Sequence, residues 1–148
     1  MSYNVWSTDG FGFCVDDIET TPERVLKLAA LNETTLSDLR EYLDSIYEDG
    51  YKDEDLTMDD INEFEGEYGY RGISTILCEV IDQELCVELA DDFDGTNFIL
   101  YCPRYPWILS EADKALTKQD VENIFNKYIT ILTDEKIDID YYSVENGG

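Results

Sequence analysis

Apolar and polar residues recur along this chain in short blocks, each readable as one element. Residues 4–8 and 11–15 are aromatic and β-branched and flank Asp9-Gly10, a pair that favours a two-residue type I′ turn, so the N-terminus is predicted to be a β-hairpin. Gly12 in its second strand either weakens that strand or lets another backbone come close. Thr20, Thr21, Pro22 and Glu23 then supply a cap, a proline at the first helical position and an early acid. Val25, Leu28, Ala29 and Leu31 follow at helical spacing, predicting a short helix that ends near Asn32. A second helix, starting at Thr34 or Thr35, carries Leu36, Leu39, Leu43 and Ile46 on one stripe and stops at Gly50. Thr57 is placed to cap a third, weaker helix over residues 58–64, with Ile61 and Phe64 turned inward.

Residues 73–81 and 84–90 read as strands joined at Asp82-Gln83, and a polar turn over 91–96 leads to a strand over 97–102, which together predict a three-stranded meander. Pro103 and Pro106 end it. Thr117 caps a well-marked helix, with Asp120 three residues on as an imperfect capping box and Val121, Ile124, Phe125, Tyr128, Ile129 and Leu132 as its apolar face. Over residues 137–144, Ile137, Ile139 and Tyr141 alternate with Asp138, Asp140 and Tyr142, as in a strand wet on one side. The order of elements implies an α+β fold. Its single, mostly antiparallel sheet comprises the N-terminal hairpin, the central meander and the C-terminal strand, with about four helices packed on it. Residues 1–148 are expected to form one domain, with neither internal repeat nor low-complexity linker.

Charge changes this picture more than length does. The chain has 35 acids, ten bases and no His, a formal charge of −25, and residues 38–67 alone hold thirteen carboxylates against Arg40 and Lys52. From residue 51 to residue 100 there are 15 acids and two bases. Such a balance argues against direct binding of nucleic acid or an anionic membrane, both of which need Lys and Arg near phosphate, and points to a basic protein partner. No apolar run approaches a membrane span and the first residues lack the regions of a signal peptide, so a cytosolic protein is expected.

Without His, nucleophilic schemes that use imidazole as the base are excluded. A carboxylate pair can hydrolyse glycosides, but no motif selects one pair among 35 acids, and the reading is of a protein that is not an enzyme. Asp53, Asp55, Thr57 and Asp59 have the alternate spacing of a calcium loop, yet Met58 and Phe64 stand where that loop needs Gly and Glu. The turn at Asp91, Asp92, Asp94 and Gly95 offers carboxylates for weak binding of a divalent cation, with ordinary turn chemistry as the competing account. Cys14, Cys78, Cys86 and Cys102 would converge if the meander and the hairpin share a sheet, and four thiolates suit structural zinc; without the Cys-x-x-Cys knuckle of most zinc sites, small core residues are the competing account. Trp6, Tyr101, Tyr105 and Trp107 are candidate aromatic anchors for an interface, with core packing as the alternative.

Successive helical turns space carboxylates at intervals comparable with phosphates, so an acidic helical face can occupy a groove built for DNA or RNA. Glu41, Asp44, Glu48, Asp53, Glu54, Asp55, Asp59, Asp60 and Glu63 are the residues where such mimicry is expected. In size, acidity and the run over residues 38–67, the chain resembles the small acidic inhibitors that phages make against host nucleases, among them the anti-CRISPR proteins aimed at type II RNA-guided DNA nucleases. Residues 6–13 (WSTDGFGF) and 141–148 (YYSVENGG) look like segments of small proteins from low-GC Gram-positive bacteria and their prophages. The resemblance implies binding to the positively charged channel of such a nuclease, in the host cytosol, and exclusion of DNA; it carries over no residue, because these inhibitors share no motif. An immunity protein or antitoxin against a basic toxin nuclease would use the same physics. A zinc-stabilised domain with no nuclease partner is the third alternative.

Overall fold

The structure, a computed structural model, describes residues 5–47, 52, 55–66, 70–101 and 116–147. Its elements are β1 (Val5–Cys14), a single 3-10 turn (Val15–Asp17), α1 (Pro22–Ala29), α2 (Glu33–Ile46), α3 (Met58–Asn62), α4 (Ile73–Ile81), β2 (Glu88–Asp91), β3 (Asn97–Tyr101), α5 (Lys118–Leu132) and β4 (Asp140–Gly147). The fold is α+β: one antiparallel sheet, ordered β2-β3-β1-β4, with helices packed against it.

Helix starts follow local chemistry. The Thr21 hydroxyl accepts the Arg24 amide at α1, and the Asn32 carboxamide oxygen accepts the Thr34 and Thr35 amides at α2, one residue ahead of the expected start. Thr57 and Thr117 each form a reciprocal capping box with an Asp three residues on, Asp60 and Asp120. Asp as the third residue therefore closes the box fully, although its side chain is shorter than the usual Glu.

Three sequence expectations are corrected. No hairpin turn forms at Asp9-Gly10: β1 runs straight through, and Asp9 and Gly10 pair with Ser143 and Tyr142 of β4. A type I′ turn needs positive φ at both central residues, whereas among the described residues only Gly72 and Gly95 have it; continuous pairing along β4 wins over the local turn preference. Residues 73–81 form a helix, α4, not a strand. Its Ser74, Thr75, Ile76, Leu77, Val80 and Ile81 are all buried, because α4 lies against β2 and β3 and also touches α1, α2 and α5. Glu79 is its single charged residue, and with Ile73, Thr75, Ile76, Val80 and Ile81 β-branched the segment reads as a strand although its period is helical. The meander is accordingly a two-stranded hairpin, β2–β3, whose third neighbour is β1. Between β2 and β3, Asp92 accepts the Asp94 and Thr96 amides and Gly95 takes φ +81°, so turn chemistry accounts for that acidic loop.

Alternate residues of β1 serve two faces. Phe11 and Phe13 point to the helices, and the Phe13 ring meets Phe125 of α5 edge-on at 5.2 Å. This helix-side core gathers Leu28, Leu39, Leu43, Ile61, Ile76, Leu77, Ile99, Phe125 and Leu132. On the other face Ala90, Leu100 and Val144 form a smaller cluster with Phe98 and Tyr142. At Gly12, between them, a Cβ would stand 1.9 Å from the Ile99 carbonyl oxygen, so only glycine lets β1 lie this close to β3. Tyr141 and Tyr142 depart from the expected alternation: Tyr141 is exposed, stacked on Phe11 at 5.1 Å with the Lys118 ammonium over both rings, while Tyr142 is half-buried against Phe98.

Candidate functional site: an acidic groove

The expected acidic run is divided by the fold. Glu48, Asp53 and Glu54 lie outside the described residues. Glu41 and Asp44 are exposed on α2, Asp55 and Asp59 are exposed near α3, and Glu63 follows α3 directly. Asp60 has a structural role: it closes the capping box of α3 and accepts the Tyr47 hydroxyl, a bond that holds its carboxyl below the usual carboxylate range and raises the Tyr47 phenol. The six described positions are divided between α2 and the region of α3 and do not form one continuous helical face.

What the fold does bring together is an open groove of about 1340 Å³ between α2, α4, β2 and the segment that follows α3. Asp38 and Glu41 line it from α2, Glu63 and Glu65 from the segment after α3, Glu79 and Asp82 from the α4 side, and Glu88 from β2: among the described residues, seven carboxylates and no Lys or Arg. Tyr42, Phe64, Tyr70, Val87 and Leu89 supply aromatic and apolar lining between them. Arg71 stands 3.9 Å from Glu63 across two exposed side chains, a weak neutralisation of one rim acid.

The walls are fixed by bonds that the sequence permits at few other places. Gly66 is required because a Cβ there would stand 1.8 Å from the Thr75 hydroxyl oxygen, so the chain after α3 lies directly on α4. The Gly66 amide donates to the Tyr70 carbonyl and the Gly72 amide to the Phe64 carbonyl, both at 2.8 Å, and the Tyr70 hydroxyl donates to the Leu89 carbonyl at 3.2 Å, which ties this segment to β2. Gly72, with φ +65°, begins α4. The buried Thr35 hydroxyl donates to Glu79 Oε2 at 2.8 Å and the Asn32 amide group to the Glu79 carbonyl at 3.4 Å, joining the start of α2 directly to α4. Tyr42 leans on Phe64 with ring centroids 5.6 Å apart. Burial, then the nearby Glu63, pushes the Tyr42 phenol up.

Of the six predicted positions among the described residues, Glu41 and Glu63 line the groove. Glu79 and Asp82 escaped sequence reasoning because residues 73–90 read as strands; on a helix, Thr75, Cys78, Glu79 and Asp82 recur at three- and four-residue spacing and declare one polar face.

The cysteines do not converge as a shared sheet would require. Cys78 is on a helix, beside the groove, and Cys14 on β1 turns toward Phe98 and Tyr142 on the opposite face of the sheet. Cys86 is exposed before β2, and Cys102 lies outside the described residues. Among the described residues no group of three or more Cys, Asp or Glu is placed to hold a metal ion. Burial, reinforced by Asp82 and Glu79, pushes the Cys78 thiol up to about 12, and burial raises Cys14 as well, so both are thiols at neutral pH. Of the aromatic candidates, Tyr101 is half-buried against the helix-side core, Trp6 falls in β1, and Tyr105 and Trp107 lie outside the described residues. Among the described residues no helix is long and apolar enough to cross a membrane. Compared with protein-family models, with curated proteins and with solved structures, the chain gives no match in any of the three.

Proposed function

We propose that this chain is an acidic binding protein that engages the basic nucleic-acid-binding surface of a nuclease and keeps nucleic acid from loading, in the manner of an inhibitor encoded against type II RNA-guided DNA nucleases. The supporting observation is the convergence of seven carboxylates from α2, the segment after α3, α4 and β2 on one open groove whose described lining residues include no Lys or Arg. Excess charge scattered over a solvated surface would be screened by salt and need no shape. Charge gathered in one concavity produces a focused negative potential, which speeds encounter with a positive surface and disfavours anionic ligands.

The experiment is a panel of purified nucleases, including type II effectors with and without guide RNA and basic toxin nucleases, tested for capture by the chain and for DNA binding in its presence, at low and high salt. The reading expects capture of one basic nuclease with loss of its DNA binding, weakened by salt. Capture of none, or DNA binding undisturbed in every complex, would contradict it.

A further inference from the structure

The sequence suggests a convex helical rod of charge entering the partner's cleft; the acids instead line a concavity. We propose that the groove receives an extended, arginine-bearing segment that protrudes from the partner protein. This deepens the proposed function and rests on its claim that the partner is basic.

Three features of the groove select this occupant. Its volume, about 1340 Å³, exceeds the ~300–1,000 Å³ of common small-molecule pockets and suits several residues of peptide. Its acids come from α2, the segment after α3, α4 and β2, so a bound chain meets carboxylates along its length. Among them the half-buried Tyr42, Tyr70 and Leu89 leave surface on which the aliphatic stem and flat guanidinium of arginine can lie, whereas a polyamine or a metal ion would leave that lining uncovered. Arginine suits it better than lysine because its planar fork pairs with a carboxylate and stacks on a ring at the same time.

The test uses the full chain and three labelled synthetic peptides, alternating Arg with Leu, Lys with Leu, and Glu with Leu, read by fluorescence anisotropy, with spermine as a competitor. The Arg peptide should bind most tightly, the Glu peptide not at all, and spermine should displace poorly. Neutralising two groove acids together (Asp38→Asn with Glu41→Gln) should weaken Arg-peptide binding by about tenfold or more, and neutralising two exposed acids outside the groove (Asp44→Asn with Asp59→Asn) by less than about twofold, with circular dichroism unchanged in both. Equal losses in the two pairs, equal binding of the Lys and Arg peptides, or efficient displacement by spermine would overturn the groove assignment. If the Arg peptide fails to bind while a basic nuclease is captured in a salt-sensitive way, the groove assignment falls and the proposed function stands; if neither binds, both fall.

Discussion

The α1–α5 side of the molecule and the α2–α4–β2 side treat charge in opposite ways. On the first, Arg24 pairs with Asp134 at 2.8 Å, Lys27 lies one helical turn from Glu23 at 3.7 Å, and Lys127 bonds to Glu84, which also accepts the Tyr128 hydroxyl at 2.6 Å. On the second, seven carboxylates of described residues share one concavity, and Arg71 stands against the rim acid Glu63. Both sides rest on the same buried core, and the exposed pairs of the first side contribute little to stability one by one. The first side sets each of these bases against an acid; the groove gathers acids, with no Lys or Arg among its described lining residues.

The largest expected effect removes the support common to both sides. Phe13→Ala deletes the ring that meets Phe125 edge-on and should cost about 3–5 kcal/mol in urea unfolding, enough to lose both sides together. Next comes charge reversal, which should separate them. Asp38→Lys with Glu41→Lys should weaken a basic nuclease partner by about a hundredfold at low salt, while Glu122→Lys with Asp134→Lys on the α5 side should change binding by less than about threefold in the same titration. Thr35→Val follows: it removes the buried hydroxyl that donates to Glu79 and should cost about 1–3 kcal/mol, with amide chemical-shift changes concentrated in α2 and α4 and absent from α5.

The smallest effect is on the paired side. The Lys127 hydrogen bond, then that of Tyr128, holds the Glu84 carboxyl below its ordinary value, so the stability Glu84 contributes is present above its unfolded-state pKa and is lost as pH falls through the lower folded-state value. Lys127, raised mainly by the same bond, contributes stability that is complete at neutral pH and is lost only as pH rises through its raised value. Lys127→Met should cost less than about 1 kcal/mol at neutral pH, a difference that shrinks in urea titrations carried into the acid range below ordinary carboxylate values. A constant difference at all pH values would show that the loss is one of packing instead.

Local signals carried most of the helical fold. The caps at Thr21, Thr57 and Thr117 and the spacing of Val121, Phe125, Tyr128 and Leu132 are contained within one or two turns, and each helix stands where they place it. The failures at Asp9-Gly10 and at residues 73–81 share a cause: in both places the deciding partner is distant in sequence. Ser143 and Tyr142 of β4, more than 130 residues further along the chain, straighten Asp9-Gly10. α4, buried by the sheet and three helices, is so apolar and β-branched that its composition outweighs its helical period. The site inherited the second failure. Its α2 half was visible as acids at Asp38 and Glu41, whereas its α4 half, Glu79 and Asp82, becomes a face only after residues 73–81 are known to be a helix.

Hydrogen–deuterium exchange of the chain, alone and with the alternating Arg–Leu peptide, tests directly which side recognises a basic partner. The account predicts slowed exchange in α2, at residues 63–66 and in β2, with α1 and α5 unchanged. Protection concentrated in α1 and α5, or spread evenly over every exposed acid, would contradict it.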